Sequence, residues 1–258
     1  MLVKQAANVF DIFEYFAREK RSAKMQEIAT HFGWPRSSAF NLIQTLVERG
    51  YLYEPTPRGG FYPTPRWLVL AQEISAAEPL PPAILALLRD LAEVTQETVW
   101  VAVPSGQTAT LLVVIESKQP IRYTADPGRR VPIHGTASGQ AIMCQMSEAQ
   151  TAAILRKAIF ERFGPGTPMS VEEVRESIDQ SLKRGWFQTA SAFSRDLGGV
   201  SVPLPVAERT FSVTVAGPLF RIVDRIEDTA LAMHRAVLRN FGDDFFRKQV
   251  PQLHRLTD

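Results

Sequence analysis

The chain has 258 residues, of which 45% are apolar and 22% are charged; these values are typical of a folded globular protein and exclude long disorder or a fibrous architecture. The formal net charge is +2, and residues 1–75 hold nine basic against seven acidic side chains, so no strongly basic stripe marks a nucleic-acid site. The sequence has no apolar run near the roughly 20 residues of a membrane span, no signal pattern at its N-terminus, and a single cysteine, Cys144. We therefore expect a cytoplasmic protein without disulfides or multi-cysteine metal sites.

The first fifty residues are predicted to form three helices. Apolar residues at spacings of three and four predict an amphipathic helix over residues 5–18 and a shorter helix over residues 25–32. Gly33 suits a left-handed turn after the second helix. Pro35 fits the first position of a third helix, which has apolar residues along one side and ends before Gly50.

The small residues in this region fit a helix-turn-helix. Ala29, Gly33, Ala39 and Leu42 stand at the positions where two such helices cross, turn and pack. Three helices with a glycine turn also occur in plain bundles, so this pattern alone leaves both interpretations open. Two strand-like pieces within residues 51–62 follow, around a turn rich in proline and glycine. This hairpin favours a winged helix-turn-helix.

A third helix that enters the major groove of DNA would present its N-terminal and outward side chains to the bases. Asn41 or Gln44 could read adenine through two hydrogen bonds, and Phe40 could touch a thymine methyl group. Serine hydroxyls could reach phosphate, and Arg58 at the wing tip suits a phosphate or minor-groove contact. The candidate DNA-binding residues are Arg36, Ser37, Ser38, Phe40, Asn41, Gln44 and Arg58.

The rest of the chain is predicted to begin with a linker helix and to continue as an α+β domain. A helix over residues 66–75 precedes a proline-rich stretch, where we place a domain boundary. Ser147 and Ser170 carry the capping signature of helix starts. The other elements expected are helices over residues 83–95 and 223–239, and strands over residues 99–103, 108–115, 121–124, 186–189, 200–206 and 210–216.

Both halves of the chain resemble a known family. The stretch from Ile28 to Leu52, with Tyr62-Pro-Thr-Pro downstream, is similar to the DNA-binding domain of IclR-type transcriptional regulators. Independently, Gly128-Arg-Arg-Val-Pro-Ile-His-Gly-Thr-Ala-Ser-Gly-Gln-Ala resembles a loop that runs into a helix in the second domain of that family. Residues 191–203 and Ala216-Gly-Pro resemble its later pocket segments. The resemblance covers nearly the whole chain in the same motif order.

This resemblance implies an α+β protein with three parts. Residues 1–64 would form the winged helix-turn-helix, residues 65–78 a linker helix, and residues 79–258 a GAF-like effector-binding domain with an antiparallel sheet and flanking helices. The implied partners are double-stranded operator DNA and a small organic effector, often an acid. The implied assembly is a homodimer or homotetramer.

The resemblance also implies where an effector binds. The family's pocket positions, carried over by motif, are Ala137, Ser138, Thr189, Ser201, Thr214 and Ala216. Members of the family often have Asp where Thr189 stands and Cys where Ser201 stands. Free N–H groups and the helix dipole independently support an anion site where Thr136, Ala137, Ser138 and Gly139 begin a helix. The sequence has no metal-binding or cofactor motif, so no cofactor is expected.

Two other functions compete with an effector-controlled regulator. A hydrolase would need a catalytic triad, which Ser201, His134 and Asp196 could supply on paper. The sequence has neither a Gly-x-Ser-x-Gly nor a His-Glu-x-x-His motif, so we predict no enzymatic activity. The second alternative is a constitutive DNA-binding regulator whose C-terminal domain serves only oligomerisation, and the sequence leaves it open.

Overall fold

The computed structural model describes residues 3–77 and 80–253. By its internal contacts the chain divides into two compact units, Met1–Pro79 and Leu80–Asp258. Each unit has a hydrophobic core of its own, and we call them the N-terminal unit and the C-terminal unit. In the described part of the chain no helix is both long and apolar enough to cross a membrane.

The N-terminal unit consists of helices and a short hairpin. The apolar sides of its first three helices meet in a core that includes Ile12, Phe16, Ile28 and Ile43, all nearly inaccessible to solvent. Burial of these side chains is what stabilises so small a unit. The elements are α1 (Lys4–Glu19), α2 (Met25–Phe32), α3 (Arg36–Glu48), β1 (Leu52–Tyr53), β2 (Tyr62–Pro63) and α4 (Arg66–Ala77).

A tight turn joins α2 to α3. Gly33 has a φ angle of 65°, in the left-handed region that glycine adopts without strain. The N–H of Trp34 then donates to the carbonyl of Ala29 at 2.9 Å, which closes the end of α2. Ala39 is fully buried where α3 packs on α2. The predicted helix-turn-helix is confirmed.

The hairpin is tied to the start of α2. Strands β1 and β2 pair antiparallel, and Phe61 forms a further bridge with Ala23. Gly60 lies against Ala23 with a φ angle of 97°, and a Cβ atom there would come within 2.6 Å of the Ala23 carbonyl. Only glycine fits this position, so the turn chemistry of the sequence fixes the wing against the helices.

The C-terminal unit is an α+β fold around one antiparallel sheet. Its elements are α5 (Pro82–Thr95), β3 (Thr98–Ser105), β4 (Thr108–Ile115), β5 (Arg130–Pro132), α6 (Ala137–Met143), α7 (Glu148–Leu155), α8 (Val171–Arg184), β6 (Phe187–Ala190), β7 (Leu197–Pro203), β8 (Ser212–Pro218), α9 (Leu219–Ile222), α10 (Ile226–Phe241) and α11 (Phe245–Gln249). The sheet has six strands in the order β5-β4-β3-β8-β7-β6, with every neighbouring pair antiparallel.

Helices cover both faces of this sheet. Strands β7 and β8 are buried along almost their whole length, which a sheet with one solvated face would not allow. Helix α6 packs on one face, and α5 and α10 pack against each other and the sheet. The predicted α+β class, with an antiparallel sheet and flanking helices, is confirmed.

The structure corrects two of the expected elements. Residues 121–124 are not a strand, because their carbonyl groups bond to side chains: that of Ile121 to Arg221 at 3.0 Å and that of Tyr123 to Thr98 at 2.5 Å. The third strand of this region is β5 instead. The helix expected over residues 223–239 begins three residues later than expected, because Val223–Arg225 form a 3-10 turn, and α10 then runs unbroken to Phe241.

The helix starts marked by capping residues are placed as expected. Ser147 accepts from the N–H of Gln150, and the Gln150 side chain accepts from the N–H of Ser147 at 2.9 Å. Ser170 likewise accepts from the N–H of Glu173 at 3.1 Å, and Gly185 ends α8 with a φ angle of 98°. Strands β6, β7 and β8 are shifted by one to three residues from the predicted positions.

Candidate functional site

The outward face of α3 carries an exposed polar surface. Ala39, Ile43 and Leu46 point into the core, so the intervening side chains face solvent. Phe40 is 49% exposed, so its ring is available to a binding partner. Of the predicted DNA-binding residues on this helix, Gln44 is half-buried and the others are exposed: Arg36, Ser37, Ser38, Phe40 and Asn41.

Arg58 stands apart from α3, at the turn of the wing. Its side chain is exposed and its backbone has a φ angle of 60°, a conformation that the adjacent Thr56 carbonyl stabilises by accepting from the N–H of Gly59 at 2.8 Å. A cation on a short, well-anchored hairpin is suited to a phosphate contact. The sequence pattern indicated the same position.

A groove of about 950 Å³ separates the start of α1 from α3. Ser38 and Asn41 line it from α3, and Lys4 and Asn8 line it from α1. Lys4 and Asn8 carry no motif that marks them in the sequence. Both residues lie on the polar side of the first amphipathic helix. Periodicity predicts that this side faces solvent, but it does not predict that α3 lies across a groove from it.

In the C-terminal unit, strand register brings polar residues of distant segments together. Trp100, Thr214 and Ser201 are directly opposite one another on β3, β8 and β7. Since partners in register share a face of the sheet, all three point towards α6. The next row on that face contains Ala216 and Thr189, with Gly199 between them.

A directed chain of hydrogen bonds runs through the first row. Ser201 donates to the carbonyl of Val213, so the Thr214 hydroxyl at 2.9 Å must donate to Ser201. Ser138 must then donate to Thr214 at 2.6 Å, while it accepts the indole N–H of Trp100 at 3.0 Å. Every hydroxyl proton in this chain is committed within the protein.

Helix α6 begins at the edge of the same face. The Thr136 hydroxyl donates to the carbonyl of Pro132 at 2.8 Å and accepts from the N–H of Gly139 at 3.1 Å, so Thr136 caps the helix. A Cβ atom at Gly139 would lie 2.0 Å from the carbonyl oxygen of Ile133. Gly139 therefore permits the close approach of two backbones and has no free surface to offer a ligand.

Between α6 and the sheet lies a cavity of about 30 Å³, room for about one water molecule. Six of the eight predicted effector-binding residues line it: Thr136, Ala137, Ser138, Thr189, Thr214 and Ala216. Ser201 and Gly139 do not, since Ser201 lies one strand further behind Thr214 and Gly139 faces Ile133. The Thr189 hydroxyl makes no hydrogen bond within the described residues.

Three aromatic rings that the sequence analysis missed also line the cavity: those of Trp100, Tyr123 and Phe193. They come from β3 and from the loops that follow β4 and β6. The Trp100 and Tyr123 ring centroids are 5.7 Å apart. Burial raises the pKa of Tyr123, so its phenol is neutral at neutral pH. The cavity is therefore bounded by aromatic faces, hydroxyl groups and small residues, without a charged side chain in its described lining.

The residues considered for a hydrolase triad do not form one. The Ser201 hydroxyl bonds to Val213 and Thr214 inside the sheet. The His134 ring contacts Phe160 at 5.0 Å and Phe163 at 6.4 Å between centroids, and burial lowers its pKa. In the described residues no group of His, Cys, Asp or Glu side chains has an arrangement that could hold a metal ion.

Both units match known protein families. Residues 5–55 match the IclR helix-turn-helix domain, and residues 79–242 match the C-terminal domain of bacterial transcriptional regulators of the IclR type. The HTH-type transcriptional regulator XynR of Escherichia coli (strain K12) is 25% identical over 241 residues, 93% of each chain. The transcriptional repressor IclR of the same organism is 23% identical over 217 residues, 83% of this chain and 79% of that protein.

Solved structures show the same fold. The Thermotoga maritima IclR structure matches with a TM-score of 0.69 at 18% identity, over 93% of this chain and 99% of that one. An IclR homologue from Microbacterium hydrocarbonoxydans, complexed with 4-hydroxybenzoate, matches with a TM-score of 0.64 at 20% identity, over 90% of this chain and 98% of that one. With family matches over both units, the chain belongs to the IclR family of bacterial DNA-binding transcriptional regulators.

Proposed function

We propose that this protein is a sequence-specific DNA-binding regulator whose affinity for its operator is modulated by a small organic acid. The observation that carries the proposal is the exposed face of α3, which presents polar side chains and an aromatic ring beside a wing with a cation at its tip. Such a face suits the major groove of DNA. The protein would act in the cytoplasm, as a regulator and not as an enzyme.

Each residue of that face has a role in the proposal. Asn41 and Gln44 read adenine edges in the major groove, and Phe40 contacts a thymine methyl group. Hydroxyl and guanidinium groups bind phosphate and set the register of the helix on the duplex. The residues assigned to phosphate or minor-groove contacts are Arg36, Ser37, Ser38 and Arg58.

The cavity beside α6 supports the effector part of the proposal. It lies on the face of the sheet where the family motifs place an effector, and its lining combines hydroxyl groups with aromatic rings. The structurally similar Microbacterium homologue was solved with 4-hydroxybenzoate, an aromatic acid. We propose a ligand of that general kind for this protein, bound among Thr136, Ala137, Ser138, Thr189, Thr214 and Ala216.

The assembly we propose is a homodimer or homotetramer, with two copies of α3 on two half-sites of the operator. Helix α4 is the proposed link between the two functions. Leu68 and Ile74 on α4 are 61% and 66% exposed, whereas Trp67 packs on Phe13 and Tyr51 at ring-centroid distances of 3.7 and 4.6 Å. In the proposal, Leu68 and Ile74 face a second copy and Trp67 anchors the helix.

A specific observation favours a second candidate function. A cavity of about 30 Å³ is too small for any organic acid unless side chains move. A constitutive regulator whose C-terminal unit serves only oligomerisation would have such a filled cavity. Binding of organic acids to the native protein, detected as a rise in thermal stability, separates the two functions because only a ligand of the folded state stabilises it.

The test of sequence-specific recognition is selection of binding sites from random duplex DNA at one fixed salt concentration. We expect a palindromic consensus with wild-type protein. Asn41→Ala should relax the preference at one base position and weaken binding by about 5-fold to 150-fold, since a bidentate contact contributes roughly 1–3 kcal/mol. Ser38→Ala should weaken binding to all sequences alike.

The matched control is Gln180→Ala, which removes an exposed amide on α8 in the other unit. It should leave both the consensus and the affinity unchanged. Absence of enrichment with wild-type protein, with and without a pool of small organic acids, would refute sequence-specific binding. An unchanged consensus with Asn41→Ala would remove Asn41 from the set of base-reading residues.

A further inference from the structure

Arg129 holds two separate segments of the C-terminal unit together. Its guanidinium carbon lies 5.5 Å from the ring centroid of Tyr123 and 5.8 Å from that of Phe193. Tyr123 belongs to the connection between β4 and β5, and Phe193 belongs to the loop between β6 and β7. One cation thus contacts the faces of two rings that no strand pairing connects.

The backbone of Arg129 is firmly placed. Its carbonyl accepts from the N–H of Leu111 at 2.9 Å, and its N–H donates to the carbonyl of Asp126 at 3.1 Å. The guanidinium also donates to the carbonyl of Thr124 at 3.3 Å. The side chain is exposed, and it has no carboxylate partner in the described part of the chain. An anion from solution can therefore reach it.

The two rings that Arg129 contacts are walls of the cavity. Tyr123 also packs on Trp100, and Phe193 packs on Phe163 with centroids 5.8 Å apart. With the rings in this arrangement the cavity holds about one water molecule. An organic ligand fits only if lining side chains move, and a movement of the Tyr123 or Phe193 ring breaks its contact with Arg129.

Most of the aliphatic hydroxyl groups beside the cavity have no proton free for a carboxylate, and that of Thr189 is the exception. The hydroxyl protons of Ser138, Thr214 and Ser201 are committed to one another and to Val213, and that of Thr136 is committed to Pro132. A carboxylate accepts hydrogen bonds and cannot donate, so these groups cannot satisfy it without breaking the chain. The guanidinium of Arg129 is the cation that contacts the described lining, through its two rings.

We propose that Arg129 is an effector-binding residue that acts as a latch: it holds the Tyr123 and Phe193 rings over the empty cavity, and the carboxylate of a small planar effector replaces the rings as its partner. This inference rests on the proposed effector function and names the group that recognises the acid. It makes Arg129 the residue that selects anionic over neutral ligands. The ligand class is a small monocarboxylate with a planar apolar body that fits between aromatic faces.

The latch is tested without any ligand by hydrogen exchange of the full chain, followed by mass spectrometry. Arg129→Met keeps an unbranched side chain and removes the cation. We expect exchange in peptides that cover residues 116–128 and 190–197 to be about five-fold faster than in wild-type protein, because two cation–π contacts are lost. Arg129→Lys should give an intermediate rate.

Arg130→Met is the matched control. Arg130 is the next residue in the chain, carries the same charge, and donates to the Ser105 hydroxyl at 2.9 Å instead of contacting the two rings. It should exchange like wild-type protein in both segments. Equal exchange in Arg129→Met and Arg130→Met would overturn the latch. A rate increase spread over the whole C-terminal unit would also overturn it, because the contact would then be a general stabilising one.

Recognition of the carboxylate is tested with benzoate and its neutral counterpart benzamide. Protein that carries 5-fluorotryptophan reports on the cavity through the Trp100 fluorine resonance, which Trp100→Phe assigns. Benzoate should shift this resonance in wild-type protein and in Arg130→Met. The dissociation constant for benzoate, taken from the titration, should be at least about ten-fold lower than that for benzamide. Arg129→Met should abolish this difference in affinity. Equal response to benzoate and benzamide, or no response to either, would overturn the assignment. Neither readout involves DNA, so a failure of sequence-specific DNA binding is separately visible.

Discussion

The two units of this protein place their candidate functional residues in opposite environments. In the N-terminal unit the candidate DNA-binding residues are on the outside of α3 and at the wing tip, and the core beneath them is apolar. In the C-terminal unit the candidate effector-binding residues are part of the core itself, since Ser138 and Thr214 are both nearly inaccessible. Side chains of the first kind can change without cost to folding, whereas those of the second kind serve stability and binding together.

The largest expected effect concerns the ion pair between Arg221 and the buried Glu97, in the C-terminal unit. Glu97 is 3% exposed and its carboxylate bonds to Arg221, with one of the two contacts at 2.8 Å. Its carboxylate also fills the space beside Gly217. Arg221→Leu would leave this carboxylate buried without a partner, so we expect the free energy of unfolding to fall by about 3 to 5 kcal/mol. Urea denaturation measures this change.

The control for that prediction is Arg239→Leu, which breaks an exposed pair with Asp90 at 3.4 Å in the same unit. Exposed pairs contribute less than about 1 kcal/mol, so this variant should unfold like wild-type protein. Segment-resolved hydrogen exchange should place the loss for Arg221→Leu in the C-terminal unit. If α1 to α3 lost protection to the same extent, the two units would not be independent in stability.

The second effect is a pH dependence of stability that arises from a buried histidine of the C-terminal unit. Burial lowers the pKa of His234 from about 6.5 to about 4, although its Nε2 bonds to the carbonyl of Gly185 at 2.8 Å. Between these values the unfolded chain binds a proton that the folded chain does not. Stability is therefore complete above pH 6.5 and falls as the pH drops towards 4, by roughly 3 kcal/mol in total.

His234→Gln keeps a donor for the Gly185 carbonyl and removes this titration. The fall in stability between pH 6.5 and 4, measured by denaturation at a series of pH values, should shrink by about that amount. His134 is buried too and its pKa is also lowered, so a smaller dependence should persist. His31→Gln changes an exposed histidine of the N-terminal unit and serves as the control. An identical pH profile for His234→Gln and wild-type protein would contradict the assignment.

Features that depend on neighbouring residues were predicted in both units, whereas features that depend on distant residues were not. Helix starts at Ser147 and Ser170 and the turn at Gly33 were predicted because each depends on residues within a few positions. The exposed side of α3 follows from periodicity for the same reason. The strand expected over residues 121–124 was wrong, because its carbonyls bond to the distant side chains of Thr98 and Arg221.

The lining of the cavity was also only partly predicted from the sequence. Sequence motifs indicated Thr189, Ser138 and Thr214, and the structure brings these three together on one face of the sheet. Trp100 was missed because it lies on β3, far from any motif, and reaches the cavity only through its pairing opposite Thr214. Strand register is set by the whole sheet, so no local pattern reports it. The roles of all these residues in binding stay predictions.

The smallest expected effect is the change in the free energy of unfolding when one hydroxyl group is removed, and it can be compared between the two units. Thr214→Val removes the link between Ser138 and Ser201 and leaves a buried proton without an acceptor, so the free energy of unfolding should fall by about 1 to 2 kcal/mol. Ser38→Ala removes an exposed hydroxyl at the start of α3 and should change stability by less than about 0.5 kcal/mol. Ser38→Ala should instead weaken DNA binding, measured by titration at fixed salt, while Thr214→Val leaves the DNA affinity of the ligand-free protein unchanged. If the two variants had equal stability, the hydroxyl chain would contribute nothing to the core, and the contrast between an exposed and a buried functional site would not hold at this position.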